Sequence, residues 1–429
     1  MGKAMAARAD RQPNYNESAR FLHGYCAKHD KDYVMWAMDY ASLCLLGGNY
    51  DAARAELLDC YKDITGHEDK DKENVAAISD ERAKLFKGEP FERAMLCSYL
   101  GLIYYMEGDY GNARVFFTQV DMQNATKADN MKDYRHDFQL GHYWLGRTYL
   151  KLGQEDNARI AFTKASQRVP ISGEDGECKN LCAASTRQRE KRMQLEEQSY
   201  KEITASKQPV AGAVNMAACP SEAELPAAAK EAKGQNPVEL SAANPAQFFS
   251  VDYQKEVNLV LFIEIGTSPI KYLTGPEGCL NAIARSGYAE RKVTVYLDGH
   301  KAGSGVQLVD MYRQGRTRGS GAREKDQIAK GLSKAVLKQL PYAGMVAGLW
   351  PVSADDRYWH LLPGEVHVYA AKVKPGVYTV NLQCLDPNSY LLPRYSLTTY
   401  SVPVKEGQEN IYILHTKPEA DNVYVEAKK

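Results

Sequence analysis

YLGLIYYMEGDYGNARVFFTQV (residues 99–120) and YWLGRTYLKLGQEDNARIAFTKA (residues 143–165) are two versions of one pattern, and the surrounding stretch Glu92–Ala165 decides the fold. A glycine, an aromatic residue, a second glycine, an alanine and a phenylalanine recur at the same spacing. They are Gly101, Tyr104, Gly108, Ala113 and Phe117 in the first version, and Gly146, Tyr149, Gly153, Ala158 and Phe162 in the second. Small residues let two helices cross closely, and aromatic residues at helical spacing fill the space between them. The pattern therefore predicts helix-turn-helix units.

A third, weaker version of the pattern precedes these two. In DYVMWAMDYASLCLLGGNYDAARAELLDCY, Gly48, Tyr50, Ala53 and Leu57 match Gly108, Tyr110, Ala113 and Phe117. The unit resembles the tetratricopeptide repeat, in which pairs of helices stack into a curved array that binds proteins or peptides. We therefore expect a helical repeat domain over residues 14–170, with inserted segments between its repeats.

Composition limits the classes of function. Lys plus Arg and Asp plus Glu both number 54 in 429 residues, so no global charge indicates nucleic-acid binding, and we expect none. No apolar run approaches the roughly 20 residues of a membrane-spanning helix. Cys44, Cys60 and Cys97 lie in apolar helical segments, which favours buried, reduced thiols.

The repeat register predicts a groove that holds a protein or peptide partner. Counted from the shared glycine or alanine position, the first helix of each repeat turns one set of side chains toward this groove. These candidate binding residues are Met35, Met38, Ser98, Leu102, Tyr105, Tyr143 and Arg147. The alternative is that the same residues pack against an N-terminal helix or against the second domain. The oligomeric state is left open.

The second half of the chain changes character. Residues 171–250 combine a charged helix candidate with an Ala- and Pro-rich stretch, which predicts a flexible linker. Residues 251–429 contain β-branched and alternating runs separated by turn residues, and Asp298-Gly299 predicts a hairpin. One helix is expected near residues 322–340. The predicted fold class is therefore a multidomain α + β protein, with a helical repeat array followed by a β-sandwich-like domain that carries one helix.

The β-rich region contains one cluster with candidate chemistry. SADDRYWHLLPGE brings together Asp355, Asp356, Arg357, Trp359 and His360. Two carboxylates beside an imidazole suit acid–base chemistry, whereas an Asp-Arg pair with a buried Trp would simply fix a loop. The sequence contains no zinc-protease, nucleophile-elbow or dinucleotide motif. We therefore expect no metal, no cofactor and no enzymatic activity, with a hydrolase or carbohydrate-binding enzyme using Asp355, Asp356 and His360 as the alternative.

A wider resemblance covers residues 20–170 and 255–415. The segments KGEPFERAMLCSYLGLIYYMEGDYGNAR, VLFIEIGTSPIKY and DDRYWHLLPGEVHVYAAKVKPGVYTVNL, in this order, resemble a family of uncharacterised bacterial tetratricopeptide-repeat proteins, many of them predicted envelope lipoproteins. The resemblance implies a non-enzymatic adaptor or scaffold for cell-envelope assembly or maintenance, on the periplasmic side. The N-terminal residues of the given sequence do not read as a signal peptide, so a cytoplasmic location is the alternative.

Overall fold

The computed structural model describes residues 15–66, 84–125, 137–167, 236–274, 280–318, 355–392 and 398–416. Paired helices come first along the chain and β-sheets with short helices follow, which confirms the predicted fold class. The candidate charged helix near residues 186–203, the helix expected near residues 322–340 and most of the expected linker lie outside the described residues.

Within the described part of the chain, the N-terminal helices form three pairs preceded by one further helix. Their bounds are α1 Tyr15–Cys26, α2 Tyr33–Leu46, α3 Tyr50–Thr65, α4 Pro90–Met106, α5 Tyr110–Asn124, α6 Gln139–Lys151 and α7 Glu155–Ser166. The turn inside each pair contains a glycine with a left-handed backbone: φ is +74° at Gly48, +82° at Gly108 and +70° at Gly153. A glycine adopts this conformation without the steric cost that other residues meet. The three predicted repeats are therefore three copies of one helix–turn–helix unit.

Close packing inside two of the repeats depends on the glycines that the pattern contains. A Cβ atom added to Gly101 would lie 2.6 Å from the ring of Phe117, and one added to Gly146 would lie 2.6 Å from the ring of Phe162. Each phenylalanine is buried against the helix that bears the glycine. The recurring glycine and phenylalanine are therefore the two sides of one contact.

The strands of the described residues form two larger sheets and one hairpin. Their bounds are β1 Val238–Ser241, β2 Leu259–Ile265, β3 Ile270–Thr274, β4 Leu280–Ala284, β5 Lys292–Leu297, β6 His300–Ser304, β7 Val306–Asp310, β8 Glu365–Val373, β9 Gly376–Leu385, β10 Thr398–Val404 and β11 Asn410–His415. The first sheet has the order β1-β8-β2-β11, with β7 also paired to β8, and β11 runs parallel to β2. The second sheet has the order β10-β9-β5-β6, and β3 pairs with β4. The β5–β6 turn is at Asp298 and Gly299, both with positive φ, as the hairpin signal predicts.

Short helices accompany the strands: α8 Pro245–Phe248, α9 Val251–Glu256 and α10 Met311–Arg318. Strand β1 and helix α8 fall inside the segment 171–250 that composition suggests as a linker. β1 is four residues long and pairs with β8, so pairing with a distant strand, rather than local composition, gives it its structure.

Strand β2 is buried on both faces, and each face belongs to a different core. Leu259, Leu261 and Ile263 point into the space between the two sheets, where Val295 and Val380 also lie. The alternate residues Val260 and Phe262 belong to a second core, which they share with the N-terminal helices. The continuous apolar run of this strand follows from this double burial.

The helical array and the sheets consequently form one compact unit. A single hydrophobic core runs from Leu22 and Met38 in the helices to Val366 and Ala370 in β8. The first sheet is therefore sandwiched between the second sheet and the helices.

Candidate functional site

The first helices of the repeats meet the first sheet and its flanking segments, and this helix–sheet interface contains the candidate residues. We define it by the contacts of α2, α4 and α6 with residues 355–362, with β2, with helices α8 and α9, and with Glu409. All seven groove residues predicted from the sequence are buried: Met35, Met38, Ser98, Leu102, Tyr105, Tyr143 and Arg147. Tyr105, Tyr143 and Arg147 contact Gln254 or Glu409 of the second domain, as the packing alternative describes. Their part in binding a separate partner stays a prediction.

Trp359 is the centre of the segment that crosses α2 and α4. Its side chain is fully buried, and its Nε1 donates a hydrogen bond to Oγ of Ser42 in α2 at 2.9 Å. Its backbone N–H donates to Oε1 of Glu92 in α4 at 2.6 Å. A buried indole is stable only when its N–H finds an acceptor, and Ser42 provides it. The segment is therefore held in place by side chains from two different repeats.

Asp39 fixes the next residues of the same segment. One carboxylate oxygen accepts from the backbone N–H of Leu361 at 2.9 Å, and the other lies 3.1 Å from Nδ1 of His360. Asp39 is fully buried in α2, an otherwise apolar helix. A buried carboxylate needs such partners, because burial without them is costly. The imidazole of His360 is thus engaged in a contact between the helices and the segment.

Arg357 joins the segment to the turn before α2. Its guanidinium contacts both oxygens of Asp355 at 2.7 Å, and its Nη1 donates to Oδ1 of Asp32 at 2.7 Å. Further hydrogen bonds reach the carbonyl oxygens of Lys31 and Lys84. A planar guanidinium with five N–H donors suits such a site, where acceptors arrive from several directions.

Glu92 links helix capping to this interface. Its Oε2 accepts from the backbone N–H of Glu89 at 2.6 Å, which forms a capping box at the start of α4, while its other oxygen accepts from Trp359. Burial raises the pKa of Glu92 to about 7. Lys271 approaches Glu89 at 2.8 Å and adds a positive charge beside the pair.

A second polar centre joins α4 and α6 to the loop before β11. Nε of Arg147 donates to Oε1 of Glu409 at 3.0 Å, and the hydroxyl of Tyr105 donates to Oε2 at 2.9 Å. Lys151 contacts the same carboxylate at 2.8 Å. Burial alone would raise the pKa of Glu409, but the charges of Arg147 and Lys151 outweigh it and hold the pKa below its ordinary value.

Tyr143 completes this centre toward helices α8 and α9. Its hydroxyl donates to Oε1 of Gln254 at 3.2 Å, and its ring stacks on Phe248 with centroids 5.5 Å apart. Burial raises the pKa of Tyr143 to about 12, so the phenol stays neutral and remains a donor. Arg147 also donates to Gln254, so two side chains of α6 meet at one amide of α9.

The candidate cluster Asp355–His360 is thus divided among structural partners. Asp355 and Arg357 pair with each other, Trp359 lies in the core, and His360 faces Asp39. Asp356 is partly exposed. The geometry matches the loop-fixing interpretation given above for Asp355, Arg357 and Trp359.

The acidic residues of the helix–sheet interface were missed from the sequence. Asp39, Glu92 and Glu409 each hold part of the contact, yet none was among the candidates. A signal existed for Asp39, because it is the single charged residue in the apolar helix YVMWAMDYASLCLL. Glu92 was visible only as a helix-start residue, since its second partner is 267 residues away.

Comparison with known proteins identifies one repeat. Residues 141–168, which include most of α6 and all of α7, match the model of a tetratricopeptide repeat. No curated protein matches the chain. Among the described residues, no helix is both long enough and apolar enough to cross a membrane. A capacity for protein interaction follows from the repeat.

Proposed function

We propose that this protein is a non-enzymatic scaffold whose repeat helices bind its own β-rich region on one side and a separate protein on the other. The proposal rests on one observation: residues 355–362 and Glu409 of the same chain contact the first helices of the repeats. A repeat array can use such a face to bind a ligand, and here a segment of the chain itself occupies it. The second helices are then the part of the array available to a partner.

The exposed face of the second helices supports this assignment. Val115 in α5 and Ile160 in α7 occupy equivalent positions of two repeats, and their side chains are 49% and 58% exposed. Apolar side chains that recur at one position of a stacked array lie on one surface. A protein partner with an apolar contact patch is the ligand that fits such a surface.

The resemblance to predicted envelope lipoproteins supports a role in cell-envelope assembly or maintenance. We place the protein on the periplasmic side of the envelope by this resemblance, with the cytoplasm as the alternative. Fractionation of cells that express the full chain distinguishes the two locations.

The partner surface is tested by affinity purification after crosslinking in cells. The test variant carries Val115→Lys and Ile160→Lys, and the control carries Thr118→Lys and Thr163→Lys. All four positions are exposed, and the control adds the same charge to the same two helices. Variants of Tyr105 or Arg147 are unsuitable, because they break the helix–sheet interface as well as any partner contact.

The scaffold proposal expects a specific set of proteins to be recovered with the wild type and the control and to be lost with the test variant. Recovery of envelope-assembly proteins from the membrane fraction supports the envelope role. Two outcomes contradict the proposed surface. In the first, the wild-type chain recovers no partner. In the second, the same partners are recovered with the test variant and with the control.

A further inference from the structure

Three potential metal ligands converge where α5 ends and α6 begins. Oδ2 of Asp137 lies 3.1 Å from Nε2 of His142, and Oδ2 of Asp121 lies 3.3 Å from the same nitrogen. One ligand atom of each residue lies within 4.8 Å of the others. His142 is buried, whereas the Asp121 side chain is 38% exposed, so the group opens to solvent through Asp121.

The separations match those between ligand atoms around a single ion. Tetrahedral zinc bound at about 2.0–2.1 Å holds neighbouring ligand atoms roughly 3.3 Å apart. The two nitrogen–oxygen distances already have this size, and the exposed Asp121 side chain is the one that can adjust the third. The arrangement therefore needs little change to coordinate a cation.

One N–H of His142 cannot serve both carboxylates, whereas one cation can bind all three groups. A ring nitrogen carries at most one hydrogen, so Nε2 of His142 can direct one N–H toward only one of two carboxylates. A divalent cation placed between the three atoms would accept electron pairs from all of them.

The backbone around the group is held in place. A Cβ atom on Gly141 would lie 2.7 Å from Cγ1 of Val120, so this glycine lets α5 and α6 approach closely beside Asp121 and His142. The carbonyl oxygen of Asp137 accepts from Nε2 of Gln314 in α10 at 3.1 Å. The Oε1 atom of Gln314 in turn accepts from Asn124 at 3.1 Å. Such support keeps ligands oriented.

We infer that Asp121, Asp137 and His142 form a binding site for a divalent transition-metal ion, with zinc as the ion of choice. Imidazole with carboxylates suits zinc and its neighbours, whereas magnesium and calcium prefer oxygen ligands alone. The ion joins α5 directly to the start of α6, across residues 125–136. Spacing along the sequence conceals the site, because Asp121 precedes this segment and the other two ligands follow it.

The test uses the full chain after removal of metal with EDTA and alkylation of exposed thiols. Zinc is added in calorimetric titrations to the wild type, Asp121→Asn, His142→Gln and a control, His300→Gln, whose histidine lies in strand β6. We expect one zinc per wild-type chain, unchanged affinity in the control, and affinity at least about tenfold weaker in the other two variants. Cobalt serves as a spectroscopic probe, because a site without sulfur gives no thiolate charge-transfer band.

Three outcomes overturn the inference: wild-type chains that bind no zinc, binding that both ligand variants retain, and cobalt spectra dominated by thiolate bands. A purely structural His142–carboxylate contact predicts the first or the second of them. If His142→Gln fails to fold, the Asp121→Asn variant alone decides the test. The Asp121 side chain is partly exposed. We therefore expect the Asp121→Asn variant to keep the circular dichroism spectrum and the metal-free melting temperature of the wild type.

Discussion

Arg147 and Glu409 form a buried ion pair across 262 residues of sequence, and this pair connects the last repeat to the loop before β11. Both side chains are at least nine-tenths buried. Removing one partner leaves the other charge buried without compensation. The pair is therefore a sensitive probe of the helix–sheet interface.

We expect Arg147→Met to lower the free energy of unfolding by about 3–5 kcal/mol, because Glu409 then loses its main counter-charge. The double variant Arg147→Met with Glu409→Gln should recover part of this loss. Arg159→Met is the control: Arg159 pairs with Asp156 on the surface of α7 and should change stability by no more than about 0.5 kcal/mol. Urea denaturation measures all three, and equal effects of Arg147→Met and Arg159→Met would contradict the assigned burial.

Gly146→Ala should destabilise the protein by about 1–3 kcal/mol, because its new Cβ would overlap the ring of Phe162. Gly101→Ala should do the same through Phe117. The control is Gly24→Ala in α1, where no atom lies within 4 Å of the added Cβ. That substitution should be neutral or stabilising by up to about 1 kcal/mol, since alanine favours helix. Thermal denaturation tests whether Gly146→Ala lowers the melting temperature while Gly24→Ala leaves it unchanged or raises it. An unchanged melting temperature in Gly146→Ala would show that residue 146 and Phe162 are not in tight contact.

Cleavage of the chain should not separate its two halves. A protease site inserted between residues 206 and 230 would divide the helices from the strands. We expect both fragments to elute together in size-exclusion chromatography, because the core that joins Met38 to Val366 and Ala370 lies on both sides of the cut. Independent elution of two folded fragments would mean that the helix–sheet interface is weak.

As the pH rises from 4.5 to 7, the free energy of unfolding should fall, in part because of Glu290. Burial raises its pKa from 4.5 to about 7, so the folded protein holds a proton that the unfolded chain releases in this range. The unfavourable contribution is absent below pH 4.5 and complete above pH 7. Glu290→Gln should therefore raise the free energy of unfolding at pH 8, by up to about 3 kcal/mol at 1.36 kcal/mol per pKa unit, and change it little at pH 4.5. Urea denaturation at both pH values tests this, and an equal effect at the two would exclude the ionisation of Glu290 as the cause.

At most four of the nine cysteines should react with a thiol reagent before unfolding. Cys26, Cys44, Cys60, Cys97 and Cys384 are buried free thiols, which leaves nine minus five, or four, for the rest of the chain. Burial raises the pKa of Cys97 to about 12, so its thiolate is scarce at neutral pH. Mass spectrometry after brief alkylation identifies the modified residues. Rapid native modification of Cys97 would contradict its position in the core.

Local pattern was sufficient for the repeats because their determinants lie close together in the sequence. Gly101 and Phe117 belong to one helical pair, and the continuous apolar run of β2 is visible within seven residues. The helix–sheet interface has no such local signature. Asp39 accepts a hydrogen bond from Leu361, which is 322 residues away in the sequence. No local sequence pattern near either residue predicts this contact.

The sequence by itself determined the helix pairs, the position of their glycine turns, the strand periodicity and the absence of a dominant charge. These features follow from interactions between residues a few positions apart, or from composition alone. Only the tertiary structure decided that the groove-facing residues meet the chain's own β-rich region, and that Asp121, Asp137 and His142 converge. Both results depend on how helices and sheets pack, because burial of their shared apolar core brings together polar groups that the sequence keeps far apart.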